Sequence, residues 1–107
     1  MAKNNLKHPD LRAVLVATSQ RGLFFGYVDP EQDLTTARSV ALIDARNCLY
    51  WPPETRGFLG LAASGPGKKC RVGPAADILV HDVICVAKVG DKARLAWESE
   101  PWGGTDL

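Results

Sequence analysis

Leu11-Arg-Ala-Val-Leu-Val-Ala-Thr-Ser-Gln-Arg-Gly-Leu-Phe-Phe-Gly-Tyr-Val28 sets two apolar, β-branched runs on either side of a turn signal. Leu11–Ala17 reads as a strand, Ser19–Gly22 as a turn in which Gly22 is free to take positive φ, and Leu23–Val28 as the returning strand. The pair is a β-hairpin. Gly26 inside its second strand implies a bulge or the close approach of another backbone. Phe24 and Phe25 are adjacent, so a strand points them to opposite faces. One of them therefore meets a second layer or another subunit.

Working outward, Thr35–Ile43 is the third strand candidate, interrupted at Asp44 and resumed over Ala45–Trp51. Pro52-Pro53 stops it. A short helix follows, with Thr55 as its expected cap and Phe58, Leu59, Leu61 and Ala62 on one side. The glycine-rich 64–67 ends that helix. Lys69–Val72, Ile78–Val80 and Val83–Val89 read as strands, and Asp91–Ser99 as a second short helix. Residues 1–9 are polar and expected to be disordered, leaving a single domain over 10–107. The sum is an α+β fold: a mostly antiparallel sheet with an N-terminal hairpin and two short helices.

The chain has 107 residues, 46 % of them hydrophobic and 23 % charged, with a formal net charge of +1. Such a charge argues against bulk attraction to nucleic acid or membrane, so any anion site must be local. A domain this small holds one modest core, and a deep ligand site is made most easily between subunits. Cys48, Cys70 and Cys85 have no C-x-x-C spacing, and His8 and His81 form no metal-binding pattern, so no disulfide framework, metal or cofactor is expected. No apolar run approaches a membrane span, and the expected location is the cytoplasm.

The densest chemistry is Leu42-Ile-Asp-Ala-Arg-Asn-Cys-Leu-Tyr-Trp51. Strand alternation puts Arg46, Cys48 and Tyr50 on one face, and Asn47, Leu49 and Trp51 on the other. Arginine recognises phosphate with a bidentate fork, tyrosine and tryptophan faces stack on bases, and asparagine reads an adenine edge. The plainer reading packs Tyr50 and Trp51 in a core or interface and leaves Arg46 and Asn47 in solvent. Gly65-Pro-Gly-Lys-Lys69 is not a P-loop, which would need glycine at Ala62 and a hydroxyl at Lys69. As a basic turn it offers Lys69 and the nearby Arg71 to a phosphate. His81-Asp82 is adjacent in sequence, but no serine or cysteine is expected to be placed as its nucleophile, and the carboxylates are scattered, so no enzyme is expected.

Six further pieces accompany Ala45–Trp51 in order: Leu23-Phe-Phe-Gly-Tyr27, Leu61-Ala62, Lys69-Cys70, Val83–Val89, Lys92-Ala93 and Pro101-Trp102. Together they resemble, from about Val14 to Trp102, the phage anti-Thoeris sponges of the first type. The second arginine of that family's motif is Asn47 here, and its aromatic before Tyr-Trp is Leu49. The resemblance implies a non-catalytic phage protein that sequesters a cyclic ADP-ribose isomer, with cyclic oligonucleotides as further ligands. It also implies a homo-oligomer, dimer or hexamer, with ligand held between protomers. In that reading Arg46, Asn47, Tyr50, Trp51, Phe58, Lys69 and Arg71 bind the cyclic nucleotide. The alternative reading is a single-stranded nucleic-acid-binding small β-domain, for which the same aromatics and arginines serve.

Overall fold

A computed structural model describes residues 8–100 apart from 20, 21, 37 and 68. Six strands, β1 (Arg12–Thr18), β2 (Leu23–Val28), β3 (Val40–Tyr50), β4 (Arg71–Val72), β5 (Ala76–Val80) and β6 (Val83–Lys88), join two helices, α1 (Gly57–Ser64) and α2 (Asp91–Ser99). The strands run in the order β4-β3-β2-β1-β6, with β5 also on β3, and every pairing is antiparallel. This is the α+β architecture expected. The first hairpin pairs Arg12 with Val28 through Ala17 with Leu23. Its turn falls partly outside the described residues, as do residues 1–7 and Trp102. Gly22 is small because a Cβ there would lie 2.9 Å from the Thr18 hydroxyl, which accepts the Gly22 amide.

The third and fourth expected strand segments are one long strand with a bulge. Phe25 faces Arg46 and Tyr27 faces Ile43, so Gly26 alone faces two residues of β3, Asp44 and Ala45. Asp44 takes the strain at φ 49, and its amide donates to Asp77 Oδ1 at 2.9 Å. A side chain on Gly26 would press on Leu42 Cβ at 3.0 Å, which is the close approach anticipated at that glycine. The bulge bends β3 and frees its two halves for different partners: Val40–Ala45 pairs with β5, and Cys48–Tyr50 pairs with β4.

Both faces of the sheet are buried. On one, Leu15, Phe25, Tyr27, Cys48 and Val72 pack with Leu61 and Ala62 of α1 and Ala93 and Trp97 of α2. On the other, Val14, Val16 and Val28 pack with Val40, Leu42, Val80 and Val83, and Phe24 sits partly buried against them. Phe24 and Phe25 do point to opposite faces, and the second layer is β5 with the near half of β3. Each fully buried side chain of this size contributes about 1.5–3 kcal/mol.

Three local expectations are corrected. Thr35 and Thr36 do not extend a strand, because the Asp33 carboxylate captures their amides at 2.8 and 3.2 Å. Thr55 does not cap α1; its hydroxyl donates to Pro52 O at 2.8 Å within a 3-10 turn, and Arg56 occupies the cap at φ 65. Leu59 turns outward, 71 % exposed, while Leu61 and Ala62 turn in. Among the described residues no helix is long and apolar enough to cross a membrane.

α1 closes against α2 through Gly65. Its φ of 81 and ψ of −179 belong to a region open essentially to glycine, and an added Cβ would sit 2.6 Å from Ala96 Cβ. Gly65→Ala is expected to cost about 3 kcal/mol, backbone strain and clash together. Thermal denaturation should show the midpoint falling by roughly 10 °C or more for a domain of this size.

Candidate functional site

β3 ends where the sequence concentrates its chemistry, and the bulge decides how those side chains divide. Arg46 lies on the helix-covered face and is buried at 8 % exposure. Its Nε donates to Gly73 O at 2.7 Å, and its Nη1 donates to Trp97 O at 2.8 Å and Glu100 O at 2.5 Å. Burial lowers its pKa, partly offset by the Glu100 carboxylate, while Glu100 is raised by burial against the pull of Arg46. The expected phosphate-pairing role meets a guanidinium already committed to three carbonyls. Asn47 points to the opposite face, where it lines a shallow hollow of about 140 Å³ with Phe24, Ala45 and Ile78. Trp51 and Phe58 are partly buried against the helix-side core. For these two, packing is the role the contacts support.

What reaches solvent is Tyr50, 51 % exposed, beside Leu49 at 56 %. Arg71 stands opposite Tyr50 in the β3–β4 register and is also exposed. Tyr50 and Arg71 are thus brought together. Beyond Trp51 the chain turns at Pro52 and forms the wall of an open cleft of about 470 Å³. Arg56, Gly60, residues 64–67 and Lys69 complete it. Gly60 is required there: a Cβ would fall 1.7 Å from Thr55 O. Lys69 reaches across to Glu54 at 3.7 Å, with both side chains well exposed, so the pair is weak and easily exchanged for an incoming anion. Arg56 is the lining residue the sequence reading missed. Nothing in its neighbourhood signals that an arginine will stand at positive φ. Ser39 was missed as well: its hydroxyl lies 2.8 Å from His81 Nδ1, an exposed pair that does not line the cleft.

Beneath the cleft lie two thiols. Burial pushes the Cys48 thiol up to about 12 from an ordinary 9.0, with the nearby Cys70 adding to the shift. Cys70 is raised by burial too, and its sulfur accepts the Gly67 amide at 3.4 Å, tying the cleft rim to the core. Cys85 is exposed.

Fold and site together define a two-faced antiparallel α+β domain with a glycine-lined, cation-bearing cleft at one strand end. The chain belongs to the family described as domain of unknown function DUF6948, whose profile matches residues 11–97. No curated protein and no solved structure matches it.

Two outcomes follow from the buried groups. Arg46→Ala should destabilise the fold by about 3–5 kcal/mol in chemical denaturation, because two buried carbonyls and a part-buried one lose a charged donor, and Arg46→Lys should restore only part of that. Cys48 stays protonated when folded but ionises near pH 9 when unfolded, so above that pH the unfolded state binds fewer protons. Stability should therefore fall as pH rises between about 9 and 12, and Cys48→Ala should flatten that limb of the stability–pH curve.

Proposed function

We propose that this domain is a non-catalytic binding protein that takes up a cyclic nucleotide signal, a cyclic ADP-ribose isomer in the first instance, and withholds it from its receptor. The observation that carries the reading is the pairing of exposed Tyr50 with Arg71 beside a cleft that carries Arg56 and Lys69, the latter held only by a weak, exposed ion pair with Glu54. An aromatic face takes the base, and guanidinium and ammonium groups take the phosphates. The cleft volume lies within the range for small-molecule sites. Glycine backbone at positions 60, 65 and 67 lets a bulky ligand approach closely.

Openness is the weakness of such a site in one chain. The proposal therefore includes a homo-oligomer in which a second copy closes the cleft over the ligand. Exposed Leu49 and Leu59, on the segments flanking the cleft, supply apolar surface for that contact. The site is redistributed relative to the motif: Tyr50, Lys69 and Arg71 contact ligand together with Arg56. Arg46, Trp51 and Phe58 hold the platform from behind.

The test is a thermal-shift and calorimetric screen of the purified protein against cyclic ADP-ribose isomers and cyclic oligonucleotides. One ligand class should raise the midpoint by several degrees and be recovered unchanged after heating. Arg71→Ala and Tyr50→Ala, both at exposed positions, should each weaken that binding at least tenfold with the unliganded midpoint unmoved. Binding unaffected by either substitution, or salt-sensitive binding of single-stranded oligonucleotides in its place, would overturn the reading.

A further inference from the structure

A second hollow, away from that cleft, gathers three cations. The start of β1, the loop at Leu34, the end of β6 and α2 enclose about 310 Å³, with Arg12, Lys88 and Arg94 in its wall and no carboxylate among its lining residues. Lys88 faces Val14 in the β1–β6 register, and Arg12 lies two residues before Val14, so both cations leave the same face of the sheet. Arg94 enters from α2, 6 % exposed, with its guanidinium 5.0 Å from the Tyr27 ring centroid.

These charges are incompletely satisfied. Arg12 Nη2 donates to Gln32 O and Arg94 Nη2 to His8 O, each at 2.7 Å, and the carboxylate of Asp91 stays 3.9 Å from Arg94 Nη1. The Nε atoms of both arginines are buried and have no acceptor among the described residues. Lys88 has no ion-pair partner among the described residues. A buried guanidinium N–H without an acceptor is a costly arrangement that folded proteins rarely keep without reason. The remaining wall is apolar, with Leu11, Leu34 and Val89 prominent.

We propose that this hollow is a binding site for a small phosphate monoester with an apolar body. Three cations with no carboxylate in the wall favour a dianion over a monoanion. Guanidinium forks match phosphate oxygens, and a small rotation of either arginine gives its Nε–H the acceptor it lacks. The apolar wall takes the organic part. The volume sits at the lower end for small-molecule sites, which suits one phosphate and a compact group and is too small for a cyclic oligonucleotide. The site is independent of the cleft beyond β3 and shares no lining residue with it.

The experiment is an NMR titration of the full chain that follows the arginine Nε–H resonances, with phenyl phosphate, inorganic phosphate and benzoate as probes. Phenyl phosphate should shift the Arg12 and Arg94 signals and bind at least tenfold more tightly than either other probe. Lys88→Gln, at an exposed position, should weaken it at least tenfold without lowering the melting temperature, and a Lys69→Ala/Arg71→Ala variant should leave it unchanged. Absence of any shift at millimolar phenyl phosphate would overturn the proposal, as would undiminished binding by Lys88→Gln. Equal affinity for benzoate would remove phosphate as the ligand class, and equal affinity for inorganic phosphate would remove the apolar body. Loss of binding in the Lys69/Arg71 variant would place the phosphate in the other cleft and overturn this one.

Discussion

The guanidinium of Arg46 closes the structure. Its partners come from three places: Gly73 on the link between β4 and β5, Trp97 within α2, and Glu100 just past the end of α2. The last carbonyls of a helix lack intrahelical donors and carry the negative end of its dipole, so a cation there satisfies both needs at once. Trp97, whose carbonyl is thus fixed, stacks on Phe25 at 5.2 Å and 2° and donates its indole N–H to Leu61 O at 3.1 Å. Phe25 in turn faces Arg46 across the β2–β3 ladder. Strand, helix and second helix are thereby joined in one circuit around a single charged side chain. Burying that charge is tolerable only because its donors face carbonyl oxygens in good geometry.

The circuit occupies one face of the sheet, and the bulge at Asp44 makes the other face possible. Without it, strand alternation would carry Arg46 and Ile43 to opposite faces, since they lie three residues apart. With it, Ile43 and Arg46 both face the helices while Leu42 and Ala45 enter the second core. The strained αL conformation at Asp44 is held from two sides, by Asp77 Oδ1 on its amide and by His8 Nε2 on its carboxylate at 2.5 Å. Gly26 gives the bulged backbone room. A domain of this length thus builds two small cores from one sheet, which a flat sheet with one solvated face would not do.

The hairpin, the later strands and α2 were legible because their signals are local: β-branched runs, a turn cluster, and a helical segment of nine residues. Gly26 announced the close approach, though not which strand would bulge. The failures share a cause. Thr35 and Thr36 carry strand propensity, but one carboxylate two residues away captured their amides, and short-range hydrogen bonding won over propensity. At the site, Arg46, Asn47, Tyr50 and Trp51 are contiguous in sequence yet meet four different environments. Contiguity on a strand separates side chains by face, and burial then depends on what long-range packing places above each face. The helix that covers Arg46 begins 45 residues later, at Asp91. No local pattern carries that information.

The same reasoning orders the protein's cations. A count of 13 lysines and arginines against 12 acids gives a nearly neutral chain and no hint of an anion site. In the fold these groups differ by how complete their hydrogen bonding is. Arg46 is 8 % exposed and commits its Nε–H and both Nη1 hydrogens to three carbonyls, so little of it faces an incoming ligand. Lys69 has an exposed carboxylate that water screens, so its charge remains usable. Arg12 and Arg94 have one carbonyl each and an Nε–H without an acceptor among the described residues, Arg94 has only the distant Asp91 as counter-charge, and Lys88 beside them has no ion-pair partner among those residues. An anion gains most where desolvation of the protein's charge has already been borne by folding and the counter-charge has not been supplied. By that measure the two proposed anion sites lie at the rim of the sheet, at the turn after β3 and between β1, β6 and α2. The most conspicuous arginine in the sequence instead holds the platform on which both places are built.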